Sequence, residues 1–92
     1  MIKEKIMEKN VKVIILTGHE SRPEAMLVQI ASRYISSIYI IYGDKTVNAK
    51  SIMGMLSLKV FNGMEFTIKA EGEDAEEAVS AMVDYLTGKQ DN

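Results

Sequence analysis

The side chains that could do chemistry stand in two short segments of this 92-residue chain. Residues 17–23 read Thr-Gly-His-Glu-Ser-Arg-Pro and place the chain's single histidine, His19, beside the carboxylate of Glu20. Residues 48–54 read Asn-Ala-Lys-Ser-Ile-Met-Gly and contain Ser51. Imidazole and carboxylate groups both form covalent intermediates in some enzymes, and a serine hydroxyl can be phosphorylated. These are the side chains in the two segments whose types could take part in covalent chemistry.

Both segments resemble signature motifs of the HPr family, the histidine-containing phosphocarriers of the bacterial sugar phosphotransferase system. In the family's first motif, the phosphorylated histidine stands two residues before an Arg-Pro pair. Glu20 occupies that position here, and His19 stands one position too early. The second motif, whose serine is phosphorylated by a dedicated kinase in Gram-positive-type members, is intact at Ser51. The chain is therefore similar to the Crh-like, catabolite-repression branch of the family, in which the carrier histidine is also absent.

The resemblance implies a regulatory protein that binds partners, is not an enzyme and needs no cofactor. HPr kinase/phosphorylase would phosphorylate Ser51, and the phosphorylated form would bind a LacI-type catabolite control repressor as its corepressor. One alternative is a phosphocarrier that accepts phosphate from enzyme I through His19 or Glu20. Another is a domain of an unrelated system that docks through its apolar surface without phosphorylation.

The first motif keeps an environment that favours anions, because Arg22 precedes a helix that Pro23 is expected to start. Glu20 has three interpretations: an acyl-phosphate acceptor, a weak imitation of a phosphorylated residue, or an acid that complements the helix dipole by about 0.3–1 kcal/mol. His19 is either a displaced phosphoacceptor or an exposed loop histidine without a catalytic role. Glu20 and Arg22 together are the predicted anion site.

Ser51 also has a plainer interpretation, as a helix N-cap that contributes about 1 kcal/mol. The residues after it are too closely spaced to be all buried in so short a segment, and methionine suits adaptable binding surfaces. By the resemblance, a partner-binding patch is expected at Ile52, Met53 and Leu56, extended by Met26 and Gln29 on the first helix. Leu58 and Val60 are instead expected in the core.

Composition narrows the function further. The net charge is −2 and no basic run is present, which argues against direct nucleic-acid binding. No apolar run approaches the roughly 18 residues of a membrane span, and the N-terminus lacks a signal region. A chain with no cysteine and one histidine cannot build the usual metal centres. A single cytoplasmic domain over residues 1–92, without metal or membrane, is the prediction.

The periodicity predicts the elements that must position these residues. Alternating apolar residues predict strands over 6–16, 37–42, 46–48 and 65–70, with a hairpin loop at 43–45. Apolar residues spaced three and four apart, from Leu27 to Tyr34, predict a helix that starts at Pro23, and a short helical segment follows Ser51. A last helix is expected to start at Asp74, with Glu77 completing a capping box, and to end at Gly88. Its buried stripe is expected at Ala75, Ala78, Val79, Met82 and Leu86.

This βαββαβα order predicts an α+β fold with the helices on one side of a four-stranded sheet. The family resemblance implies the rest: an HPr-like open-faced β-sandwich, in which three helices cover one face of an antiparallel sheet.

Overall fold

The computed structural model describes residues 5–14 and 22–88. Four strands and three helices follow one another as β1 (Lys5–Lys12), α1 (Pro23–Ala31), β2 (Ser37–Tyr42), β3 (Lys45–Asn48), α2 (Ile52–Leu56), β4 (Glu65–Gly72) and α3 (Ala75–Leu86). The order is the predicted βαββαβα.

The strands form one antiparallel sheet in the order β1-β4-β2-β3, with β1 and β3 at its edges. The register places Phe66 opposite Val11, and Ile40 between Ile68 and Val47. These apolar side chains therefore share one face, which the helices cover. The predicted open-faced α+β sandwich is confirmed.

The core lies between this face and the helices. Each helix contributes the apolar positions that its period brings to one side, and the stripe predicted for α3 is buried throughout. The largest fully buried side chains are Phe66, Leu27, Ile38, Ile40, Met55, Met64, Ile68, Met82 and Leu86. Leu58 and Val60 are buried as expected, so they close the core beyond the end of α2.

Several predicted boundaries were wrong, among them the end of β4, which was predicted at residue 70 and lies at Gly72. Strand β1 ends at Lys12. The Val13 N–H still donates to the carbonyl of Met64, the residue before β4, at 2.9 Å, but the Ile14 N–H donates to the Leu86 carbonyl at the end of α3, at 3.0 Å. Helix α1 ends at Ala31, before Tyr34. The β2–β3 turn consists of residues 43–44 only.

The capping box predicted for α3 is also wrong. Asp74 stands at the N-cap, but its side chain makes no capping hydrogen bond. Its carboxylate instead accepts hydrogen bonds from the Ile35 N–H at 2.9 Å and from the N–H and hydroxyl of Ser36 at 3.0 and 2.5 Å. Asp74 therefore fastens the loop before β2 to the start of α3. At the other end the prediction is confirmed, because Gly88 follows α3 with φ 76°.

No helix within the described residues is long and apolar enough to cross a membrane.

Candidate functional site

Ser51 lies where the chain leaves β3 and enters α2. The Ser51 N–H donates to the Asn48 carbonyl at 3.0 Å, and the Lys50 N–H donates to the Asn48 side-chain oxygen at 2.8 Å. At the N-cap, Ser51 Oγ accepts a hydrogen bond from the Gly54 N–H at 3.2 Å. The predicted cap is confirmed, and a tight turn fixes the position of the hydroxyl, which lies on a half-buried residue.

Gly54 keeps the space beside this hydroxyl open. A Cβ at position 54 would lie 3.4 Å from Ser51 Oγ and 3.5 Å from Cβ of Val47. Both are within ordinary contact distance, so an alanine would fit but would cover one side of the hydroxyl.

Lys50 fastens the Ser51 turn to the loop that follows α1. Its ammonium group donates to the Tyr34 carbonyl at 2.7 Å, a contact between residues 16 apart in the sequence. The backbone N–H of Lys50 is bound to Asn48 and its side chain is bound to Tyr34, so both parts of this residue are held in place. Lys50 was not singled out from the sequence, because neither its neighbours nor its spacing indicated a partner in a distant loop.

The predicted docking surface is exposed. We use the name α1/α2 patch for Met26, Gln29, Ile52, Met53 and Leu56, all of which are exposed. Helices α1 and α2 pack against each other, so the two groups of residues belong to adjoining elements. Met55 is fully buried, and it anchors α2 to the core while its neighbours face outward. The burial agrees with the expected surface; its role in binding stays a prediction.

The first motif is described from Arg22 onward, while His19 and Glu20 lie outside the described residues. Arg22 is the exposed N-cap residue of α1, Pro23 takes the first helical position, and the Arg22 carbonyl accepts from the Met26 N–H at 3.2 Å. The expected helix start is confirmed. The anion site assigned to Glu20 and Arg22 stays a prediction.

A contact that the sequence did not indicate joins the first turn of α1 to the segment after α2. The Glu24 carboxylate, in the first turn of α1, accepts a hydrogen bond from the Val60 N–H at 2.6 Å. Just before Val60, Lys59 adopts φ 55°, a conformation that only a few per cent of non-glycine residues take. Glu24 thus fastens the segment after α2 to the first turn of α1, so the end of α2 is held close to the start of α1.

Within the described residues, no group of three or more His, Cys, Asp or Glu side chains could hold a metal ion. The arrangement is a capped serine next to an exposed apolar surface.

Comparison with known proteins identifies the family. The sequence matches the family model described as PTS HPr component phosphorylation site over residues 7–87. It is 43% identical to the HPr-like protein Crh of Halalkalibacterium halodurans over 81 residues, which are 88% of this chain and 96% of that protein.

Two solved structures agree. The phosphocarrier protein HPr from Bacillus anthracis superposes with a TM-score of 0.81 at 45% identity, over 89% of this chain and 98% of that one. Crh from Bacillus subtilis, whose crystal structure is described as a swapped dimer, gives a TM-score of 0.71 at 37% identity over the whole of both chains. The chain belongs to the HPr family of the phosphotransferase system, and its similarity to Crh places it beside the HPr-like proteins of that family.

Proposed function

We propose that this chain is a regulatory HPr-like protein that HPr kinase/phosphorylase phosphorylates on Ser51. The observation that carries the proposal is the placement of Ser51: its hydroxyl caps α2, the same short helix that presents Ile52, Met53 and Leu56 to solvent. An enzyme that reaches this hydroxyl must lie over α2, and it meets an apolar surface there. The similarity to two Crh proteins, named HPr-like, supports a role other than phosphate transport.

The reaction suits the local geometry. The γ-phosphoryl group of ATP is transferred to Ser51 Oγ, the hydroxyl proton is released, and ADP leaves. The product gains nearly two negative charges and three acceptor oxygens next to the N–H groups at the start of α2. Negative charge is favourable at that end of a helix, so the fold would be retained and the surface charge would change.

In the second step, the phosphorylated chain binds a LacI-type catabolite control repressor as its corepressor. The α1/α2 patch supplies apolar contact area, and the phosphate supplies the charge that an arginine or lysine of the repressor would recognise. The chain contributes no catalysis, and the presence of ATP and of a DNA-bound repressor would place it in the cytoplasm.

One observation favours a second function, phosphate transport. The phosphocarrier protein HPr from Bacillus anthracis is 45% identical to this chain. Enzyme I would then phosphorylate His19 or Glu20. Against it, a carboxylate occupies the position two residues before the Arg22-Pro23 pair, and an acyl phosphate differs chemically from the phosphohistidine of the family.

Parallel phosphorylation reactions test the proposal. With HPr kinase and ATP, mass spectrometry should show one added phosphate that Ser51→Ala abolishes. Ser57→Ala is the matched control, because Ser57 caps the opposite end of the same helix and its hydroxyl donates to the Gly54 carbonyl at 2.6 Å. That variant should be phosphorylated like the parent.

With enzyme I and phosphoenolpyruvate, no stable label is expected. An acid-labile label that His19→Ala or Glu20→Ala removes would establish the carrier function instead. Recovery of unmodified chain after incubation with a kinase that phosphorylates a known HPr would refute phosphorylation at Ser51.

A further inference from the structure

Among the methionines that the structure describes, two are exposed, three are buried in the core and one, Met7, is partly buried. Met53 is 76% exposed and Met26 is 40% exposed, and both lie in the α1/α2 patch. Met55, Met64 and Met82 are buried in the core, with exposures of 0%, 1% and 0%. Met53 and Met55 are two residues apart on the same helix, so α2 carries an accessible thioether and a shielded one. This contrast makes oxidation by a small oxidant site-selective.

The position of Met53 links it to phosphorylation. Met53 follows Ser51 by two residues, and it lies between Ser51 and Gly54, whose N–H donates to the Ser51 hydroxyl. An enzyme that reaches the Ser51 hydroxyl comes against the first turn of α2, where Met53 is 76% exposed. Because Ile52 and Leu56 are also exposed, the contact that this enzyme makes with α2 must be largely apolar.

We propose that oxidation of Met53 to the sulfoxide, with Met26 as a weaker second target, is a reversible switch that lowers phosphorylation of Ser51. This inference rests on the proposed function, since it concerns the enzyme that phosphorylates Ser51. The oxidant is a peroxide or a hypohalous acid.

The chemistry is a two-electron oxygen transfer. With hydrogen peroxide, a sulfur lone pair attacks one peroxide oxygen, the S–O bond forms and the O–O bond breaks. The sulfur is oxidised, and the departing oxygen takes up the remaining proton and leaves as water. The product is a polar, chiral side chain in place of a flexible apolar one, and sulfoxide reductases convert it back.

The sulfoxide weakens docking of the kinase because its oxygen is a strong hydrogen-bond acceptor, and that oxygen loses its bound water in an apolar interface. Burying a polar group without a partner is unfavourable, so we expect docking to weaken by about tenfold or more. The fold should be unaffected, because the Met53 side chain makes little contact with the core and the buried methionines are shielded.

The first measurement is peptide mapping after a titration with hydrogen peroxide. Of the five methionines compared above, Met53 should oxidise first and Met26 second, at concentrations that leave Met55, Met64 and Met82 unmodified. Oxidation of Met55 at the same rate as Met53 would overturn the proposal, since the selectivity derives from their difference in burial. The midpoint of urea unfolding should not change, and a fall in that midpoint would also overturn it.

The second measurement is the rate of Ser51 phosphorylation by HPr kinase, expressed for each variant as the ratio of oxidised to untreated protein. This ratio should be about one tenth or less for the parent, and treatment with methionine sulfoxide reductases should restore it. In Met53→Leu, which lacks the main target, the ratio of oxidised to untreated rate should be near one. This expectation does not depend on how fast the untreated variant is phosphorylated. Met53→Gln, which imitates the polar sulfoxide, should be phosphorylated slowly without oxidation.

The outcomes separate the two proposals. Untreated parent that is not phosphorylated refutes the proposed function. Untreated parent that is phosphorylated normally, together with an oxidised parent that is phosphorylated at the same rate, refutes the methionine switch alone. A loss of rate in oxidised Met53→Leu equal to that of the parent also refutes it.

Discussion

Ser51 has a structural role and a proposed regulatory role, and two substitutions separate them. In Ser51→Ala, the Gly54 N–H loses the side-chain acceptor at 3.2 Å, while the backbone bond from the Met55 N–H to the Ser51 carbonyl at 2.9 Å remains. Loss of an N-cap typically costs about 1 kcal/mol. In Ser51→Asn, the side-chain oxygen can still accept from the helix, because asparagine caps about as well as serine.

The expected results differ between stability and phosphorylation. Ser51→Ala should lower the free energy of unfolding by about 1 kcal/mol, which corresponds to a decrease in Tm of roughly 4–8 °C for a domain of this size. Ser51→Asn should stay within about 0.5 kcal/mol of the parent, the usual range for harmless surface substitutions. Neither variant should be phosphorylated by HPr kinase, because neither retains the hydroxyl.

Urea unfolding followed by circular dichroism measures the stability, and mass spectrometry after incubation with the kinase measures phosphorylation. If Ser51→Ala is as stable as the parent, the hydrogen bond to Gly54 is not a working cap. If Ser51→Asn still gains a phosphate, the modified residue is not Ser51. The second result would refute the proposed function even if the first prediction were confirmed.

Three further predictions concern the fold that supports the site. Gly72→Ala should destabilise the chain by about 3 kcal/mol or more in urea unfolding, because Gly72 has φ 151° and an added Cβ would lie 2.7 Å from Cα of Ser36. The control, Gly43→Ala, has φ 62° with open space around the new Cβ and should cost only about 1–2 kcal/mol, so equal losses would contradict the steric argument. The hydrogen bond from the Ser36 hydroxyl, together with two from backbone N–H groups, lowers the pKa of Asp74 below its usual 3.8. The ionised Asp74 carboxylate therefore stabilises the fold above pH 3.8, and this stabilisation is lost as the pH falls through the folded-state pKa. The difference in urea midpoint between the parent and Asp74→Asn should therefore become smaller as the pH is lowered from 6 to 2. A difference that stays constant would refute a stabilising role for the ionised Asp74 carboxylate. Phe66→Ala should cost about 3–5 kcal/mol, measured in the same way, because the ring is 2% exposed in the centre of the sheet.

The local sequence pattern was sufficient to predict many of the elements and the faces that they bury. The stripe of α3, the strict alternation of β4 and the serine before α2 each concern residues within a few positions of one another, and the structure confirms all three. The exposed α1/α2 patch could also be predicted in part, because α2 is too short to bury Ile52, Met53 and Leu56 together with Met55. In these cases spacing alone determines which side of an element a residue occupies.

Prediction failed where a group had a choice between a near partner and a distant one. Asp74 stands at a suitable position for a capping box, yet its carboxylate binds residues 35 and 36, more than 35 positions away. The end of β1 was misplaced for a similar reason, since the Ile14 N–H leaves the pairing with β4 and donates to the Leu86 carbonyl at the end of α3. No local pattern encodes these choices.

The sequence by itself determined the order and type of the elements, part of the core and, through its two motifs, the family and the change from histidine to glutamate at position 20. The tertiary structure alone decided how the motif regions are held: Glu24 binds the Val60 N–H, and Lys50 binds the Tyr34 carbonyl. The physical reason is that side-chain period and capping act within one or two turns, whereas a hydrogen bond between distant segments exists only after the chain has folded and brought donor and acceptor together.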